Sequence, residues 1–250
     1  MVEPHSLYTC STELLVEAAK LADEFGLMIG LHLLETQTER LQLQQKFGKS
    51  AVSFLEDVGL LSQRLLAHHC VTLSDEDIDL FSKYGCKVSH NPASNMKLAS
   101  GIAPVVEMLK KGITVGLGTD GCASNNTLDM IREMNTAAKL HKVSRLDPTV
   151  LDAQTVVRMA TLEGAKALGI EHVIGSLDVG KKADIIIIGL NRPHLSPLYN
   201  AFSHLVYAAG GADVDCAIID GRIVMENRKL LTIDEAEAIR TIHRALEIGV

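Results

Sequence analysis

Features typical of membrane, nucleic-acid-binding and secreted proteins are missing from this chain of 250 residues. No stretch approaches the roughly 18 apolar residues of a membrane-spanning helix, and the longest apolar run, at 185–188, has the length of a strand. Lys and Arg total 24 against 31 Asp and Glu, and the net charge of −7 excludes a basic surface for nucleic acid or an anionic membrane. The amino terminus lacks the basic and apolar regions of a secretory signal, so we expect a cytoplasmic protein.

Two signatures of cysteine and serine chemistry are also missing. The five cysteines occur without CxxC spacing, which predicts reduced thiols rather than a disulfide framework or a structural zinc site. No Ser lies on a G-x-S-x-G turn, so a serine nucleophile is not predicted. Cys70, next to His69, is the one cysteine that stays a candidate nucleophile.

The apolar pattern predicts strands that alternate with helices. Helices are expected over 11–25, 50–58, 104–111 and from residue 74, and strands over 27–34, 65–70, 86–89 and 113–117. Such βα units form a parallel sheet covered on its faces, either a barrel or a doubly wound sheet. Further helices are predicted over 128–141 and 153–168, then a β segment with a hairpin at Asp220 and Gly221, and a last helix over 234–246.

Imidazole and carboxylate side chains follow four consecutive predicted strands. Because the carboxyl ends of parallel strands line one rim, we expect these groups to lie close together. Neutral imidazoles with a carboxylate suit a borderline divalent cation, and a nearby Glu can move protons, so the set predicts metal-assisted hydrolysis. The residues concerned are His32 and Glu35, then His69, then His90 with Asn91, and finally Asp120.

Four short motifs carry a family resemblance. They read His-Leu-Leu-Glu-Thr at 32–36, Ala-His-His-Cys-Val at 67–71, Ser-His-Asn-Pro-Ala-Ser-Asn at 89–95 and Gly-Thr-Asp-Gly at 118–121. In this order and spacing they resemble the amidohydrolase superfamily, and within it the nucleoside and aromatic-base deaminases and the related triazine chlorohydrolases. The resemblance implies an α/β fold: a partial (β/α)8 TIM-type barrel of about strands 4–8 at 1–174, a portion of a small β-sandwich domain at 175–231, and a C-terminal helix at 232–250.

The resemblance also implies a role for each candidate residue. His32 and Asp120 would bind one divalent metal ion, either zinc or, as alternatives, iron or manganese. Glu35 would shuttle protons and contact substrate, His69 would polarise the reacting group, and Asp120 would also act as the base. His5 would contact substrate. The implied reaction removes ammonia from the adenine ring of a 5'-thio-substituted nucleoside, a small-molecule substrate.

The chain departs from the family pattern because it has no His-x-His sequence. In this family, two metal-binding histidines come as His-x-His after the first barrel strand. With two ligands of its own the chain is expected to bind metal weakly, since catalytic zinc sites usually have three protein ligands. An unclosed barrel also leaves a strand edge free. We therefore expect a homo-oligomer, or a partner that covers the open edge.

Other interpretations stay open at this stage. The same site could serve a triazine chlorohydrolase or a guanine-type deaminase, and the chain could instead be catalytically inert or bind a partner. Adjacent residues on a strand point to opposite sides, so His68 is expected to be structural or solvated. His90 and Asn91 could hold their loop by hydrogen bonds. Asn126 or Thr127 is expected to cap the helix that begins near residue 128, and His141 to lie at the surface or in packing.

Overall fold

A computed structural model describes residues 1–247 of the protein. A parallel sheet forms the centre of its larger part. The sheet has four strands in chain order, which are β1 (Ile29–Leu33), β2 (Leu65–His69), β3 (Lys87–His90) and β4 (Val115–Leu117). Residues 1–6 run along the other side of β1, with parallel bridges from Val2 to Ile29 and from Ser6 to His32. The predicted parallel sheet is confirmed.

Ten helices accompany this sheet. They are α1 (Thr12–Phe25), α2 (Gln37–Phe47), α3 (Ala51–Asp57), α4 (Asp75–Tyr84), α5 (Pro92–Lys97), α6 (Val105–Lys110), α7 (Cys122–Asn125), α8 (Met130–Arg145), α9 (Ala153–Ala160) and α10 (Leu162–Ala167). Local sequence explains their ends: Ser11 caps α1, which stops at Gly26 in a left-handed conformation, and Ser74 forms a capping box with Asp77 at α4.

Two helix predictions are wrong in detail. The single helix expected over 153–168 is broken at Thr161, whose φ of −126° and ψ of −97° lie outside the helical region, so α9 and α10 are separate. The cap of α8 is Asp129, whose carboxylate accepts the backbone N–H groups of Ile131 and Arg132. Asn126 instead ends α7 in a left-handed conformation. Asn126 therefore caps the end of α7 rather than the start of α8.

The second sheet is antiparallel. Its strands β5 (Ile185–Ile188), β6 (Val214–Ile219), β7 (Arg222–Glu226) and β8 (Lys229–Leu230) pair in chain order. Asp220 and Gly221 both have positive φ, as a two-residue hairpin turn requires, so the predicted hairpin is confirmed. Between β5 and β6, α11 (Ala201–Tyr207) packs on α8 and α9, and α12 (Glu235–Glu247) follows β8.

None of the helices within residues 1–247 is long and apolar enough to cross a membrane. The boundaries expected at 174 and 231 stay predictions.

Close contact between two glycines fixes α10 against the sheet. A Cβ built on Gly116 of β4 would lie 3.0 Å from the Cα of Gly164 in α10, which is closer than side chains normally approach backbone. Gly164 therefore packs closely against the strand.

Replacing Gly116 with Ala should lower the free energy of unfolding by about 1–3 kcal/mol, because the added methyl group overpacks a contact between two backbones. Urea unfolding followed by circular dichroism measures the change. Gly210→Ala is the matched control, since a Cβ there meets no heavy atom within 4 Å and φ is −141°. Equal stabilities of the two variants would contradict the packing argument.

Candidate functional site

Three of the four parallel strands lead into residues with a left-handed backbone. Leu34 follows β1 with φ of 51°, His69 ends β2 with φ of 68°, and Asp120 follows β4 with φ of 59°. A non-glycine residue in this conformation costs roughly 1–2 kcal/mol, and such strain concentrates at functional sites. Each turn redirects the chain at the rim where the candidate residues were expected.

His32 is oriented by the segment that precedes it in the sheet. Its Nδ1 donates a hydrogen bond to the backbone carbonyl of His5 over 3.0 Å, so its Nε2 carries the free lone pair. The rings of His5 and His32 stack with centroids 4.7 Å apart. His5 itself is exposed, and its Nδ1 lies 2.9 Å from the hydroxyl oxygen of Thr9. The two histidines are therefore neighbours at the rim.

His69 and Glu35 face each other from neighbouring strands. The Nε2 of His69 lies 3.9 Å from Oε2 of Glu35. The Nδ1 of His69 is 2.8 Å from Oδ1 of Asn95, and the imidazole is only 1% exposed. Ser100 donates a hydrogen bond to Oε1 of Glu35 over 3.1 Å. The structure therefore brings together the predicted proton shuttle, Glu35, and the histidine predicted to polarise the reacting group.

The carboxylate of Asp120 is held in the charged form. Burial raises its pKa, but hydrogen bonds from the Ser94 hydroxyl (2.6 Å) and the Gly121 backbone N–H (2.7 Å), with the nearby His69, outweigh burial and lower the pKa below its usual value. An anionic oxygen pair at a strand end is suited to a divalent cation.

A second carboxylate supports the strained turn after β1. Glu39 in α2 is buried, and its two oxygens accept the backbone N–H groups of Leu34 (2.9 Å) and Glu35 (2.7 Å). Burial raises the pKa of Glu39, and these hydrogen bonds oppose that rise. The sequence interpretation missed Glu39, although its place three residues after Thr36, the cap of α2, was a usable signal.

His68 belongs to the same cluster, which corrects the expectation that it lies apart from it. His68 pairs with His32 in the sheet register, and their ring centroids are 5.1 Å apart. His69 also stays near His32, at 5.5 Å, because its left-handed backbone turns the chain out of the regular strand alternation. Burial, together with the neighbouring His32 and His69, lowers the pKa of His68 to about 4.

His32 and Asp120 have the donor chemistry that a divalent ion requires. The first presents a lone pair at Nε2 with its tautomer set by a backbone carbonyl, as metal-binding histidines do, and the second is anionic. Within residues 1–247 no group of three or more His, Cys, Asp or Glu side chains is arranged to hold a metal. The two donor groups are therefore of the right chemical type, but they are fewer than the three protein ligands that catalytic zinc sites usually have.

Cys70 does not have the properties of a nucleophile. Its side chain is fully buried, and burial raises the pKa of the thiol well above its ordinary value. A nucleophilic cysteine needs a lowered pKa and access to substrate.

His90 and His141 form a buried pair behind the rim. Their Nε2 atoms are 3.0 Å apart, and both side chains are at most 1% exposed. Asn91 accepts a hydrogen bond from Ser89 over 3.2 Å. Burial lowers the pKa of His141 to about 4 and that of His90 well below its ordinary value. These contacts favour the interpretation that His90 and Asn91 hold their loop.

The family resemblance is confirmed by comparison with known proteins. The amidohydrolase family matches residues 1–224, and the chain belongs to this family. It is 57% identical to a 5-methylthioadenosine/S-adenosylhomocysteine deaminase of Syntrophus aciditrophicus over 246 residues, which are 98% of this chain and 56% of the relative. The chain thus spans just over half the length of that relative.

Solved structures confirm the fold. A zinc-bound adenosine deaminase from Xanthomonas campestris superimposes with a TM-score of 0.96 at 38% identity, covering 98% of this chain and 56% of that protein. A zinc-bound atrazine chlorohydrolase from Arthrobacter aurescens gives 0.91 at 26% identity, covering 98% and 54%. The predicted partial (β/α)8 barrel with a portion of a second β domain is therefore correct.

The buried imidazole of His141 should make stability depend on pH. Its pKa is about 4 in the folded chain against 6.5 as a free group, so the unfolded chain binds more protons between these values and stability falls as pH falls from 6.5 to 4. Urea unfolding gives the free energy of unfolding at pH 7 and at pH 4.5. The decrease between these two pH values should be about 2 kcal/mol smaller in His141→Gln than in the parent protein. His172→Gln, at an exposed position, serves as control, and the same loss in all three proteins would refute the argument.

Proposed function

We propose that this chain carries catalytic residues of a metal-dependent hydrolytic deaminase acting on adenine nucleosides of the 5'-methylthioadenosine and S-adenosylhomocysteine type. The observation that carries the proposal is the meeting of His69 with Glu35 at 3.9 Å on the rim that also holds His32 and Asp120. The deaminase named above, at 57% identity, supports the substrate class. The five free cysteine thiols of the present chain fit a reducing, cytoplasmic location.

The proposed roles follow the positions of the side chains. His32 and Asp120 would hold one divalent ion, most simply zinc as in the two solved relatives. An ion bound there would lower the pKa of a water molecule, so that hydroxide is available at neutral pH. Asp120 accepts the proton that the attacking water releases. Glu35 delivers a proton to a ring nitrogen, His69 binds the oxygen added to the ring carbon, and His5 contacts the nucleoside. The amino group then takes the proton held by Asp120 and leaves as ammonia when its bond to the ring carbon breaks, and the added hydroxyl returns a proton to Glu35.

The number of ligands bears on the assembly. Two protein ligands are fewer than catalytic zinc sites use, so the proposal includes further ligands from outside the described residues. Residues 1–6 pair with β1 through two isolated bridges and three backbone hydrogen bonds, but β4 has one strand neighbour within residues 1–247 and is an open edge of the sheet. We propose that a second copy, or a partner chain, covers it.

Light scattering coupled to size-exclusion chromatography tests the assembly. The expected result is a mass at least twice the 27.0 kDa of one chain, or co-elution with a partner. A 27.0 kDa species that unfolds cooperatively and binds metal on its own would contradict this part of the proposal.

Metal content and turnover test the reaction itself. Mass spectrometry of the purified assembly, with the further ligands in place, should find close to one zinc per chain, and methylthioadenosine should release ammonia. Glu35→Gln should lower the rate roughly 10²–10⁴-fold and leave the metal content unchanged, because Gln cannot transfer a proton. Glu107→Gln is the matched control, since Glu107 on α6 forms an ion pair with Arg145 at the end of α8 and is not among the candidate site residues.

The alternatives give different results in the same experiment. Release of chloride from a triazine without release of ammonia would favour the chlorohydrolase reaction, to which the second solved relative points. Ammonia from guanine alone would favour the guanine-type reaction. Neither metal nor product would mean that this chain is inert by itself, and would overturn its assignment as a working deaminase.

A further inference from the structure

A buried carboxylate without a cationic partner lies behind Asp120. Glu133 in the first turn of α8 is fully buried, and within residues 1–247 it makes no ion pair. Burial raises the pKa of its carboxyl, and hydrogen bonds from Asn125 and Ala93 oppose that rise. A carboxylate buried in this way is costly unless both oxygens receive hydrogen bonds.

The two oxygens of Glu133 contact two different loops. Oε2 accepts the backbone N–H of Ala93, at the start of α5, over 3.2 Å. Oε1 accepts a short hydrogen bond from the side-chain amide of Asn125. The same amide nitrogen donates to the backbone carbonyl of Thr119 over 2.7 Å. Glu133 is thereby connected to the loop after β3, which here means residues 91–95 with the start of α5, and to the loop after β4, residues 118–126 with the short helix α7.

These two loops carry the pair of residues that fixes the Asp120 carboxylate. Ser94 follows Ala93 in α5, Asp120 follows Thr119, and the Ser94 hydroxyl donates to Oδ2 of Asp120 over 2.6 Å. Capping does not explain Glu133, because Asp129 already accepts the first N–H groups of α8.

We propose that Glu133 is a positioning residue, which holds the loops after β3 and β4 in register so that Ser94 orients the Asp120 carboxylate. The effect on catalysis rests on the function proposed above. The hydrogen-bond arrangement is testable without it, in the apoprotein and without substrate.

NMR of the labelled, metal-free chain tests the proposal with Glu133→Gln. The amide of Gln places a donor against Ala93 or Asn125, so one of the two contacts is lost. We expect the backbone order parameters of 119–121 to fall from about 0.85 to below about 0.6, and the carboxyl ¹³C resonance of Asp120 to shift. Residues Ala137 and Ala138 of α8 should keep their values, since both are buried within the helix.

Glu107→Gln is again the matched control and should leave the loop and the Asp120 resonance unchanged. An unchanged Asp120 resonance in Glu133→Gln, or equal loss of order throughout α8, would overturn the proposal. If Glu133→Gln does not fold, Asn125→Ala removes only the contact to the loop after β4. It should mobilise 119–121 while the amide of Ala93 stays protected from hydrogen exchange, and the reverse pattern would refute the arrangement. Absence of ammonia release from the parent protein, with these NMR results intact, would count against the proposed function alone.

Discussion

Parallel strand pairing is the constraint on which the site depends. Parallel strands all end at the same edge, so residues that are far apart in sequence meet there without any contact between their loops being required. His32 and His69 come from β1 and β2, and Asp120 follows β4. The register matters in the same way, because pairing His32 with His68 places a further imidazole beside the first. A shift of one residue would turn these side chains to the opposite face.

The rim is precise because buried carboxylates hold the backbone behind it. Glu39 binds the N–H groups of Leu34 and Glu35, and Glu133 binds the loops on either side of Asp120. Both carboxyls have pKa values raised by burial, and both receive hydrogen bonds only from neutral groups. Such contacts offset part of the cost of the left-handed residues at the strand ends. Glu35 and Asp120 thus each have a second carboxylate, Glu39 or Glu133, behind them.

Local pattern predicted much of the fold and less of the site. The spacing of apolar residues and the Ser caps predicted the bounds of α1, α4 and the strands to within a few residues, because both are local features of the sequence. The α2 helix was missed because it buries little besides Glu39 and Leu43 and so has no apolar stripe. The position of His68 required two facts absent from a linear pattern, namely the register with β1 and the left-handed turn at His69. Glu133 was missed because its two partners, Ala93 and Asn125, lie 32 residues apart in the sequence and come together only in the folded chain.

The chain order of the first sheet has a consequence for how the protein is made. Each of β2, β3 and β4 pairs with the strand immediately before it in sequence, and residues 1–6 lie against β1. A ribosome releases these elements in the order in which they pair. Every new βα unit therefore meets an edge that has already formed, and the sheet can grow one strand at a time during synthesis without waiting for the carboxyl-terminal segment.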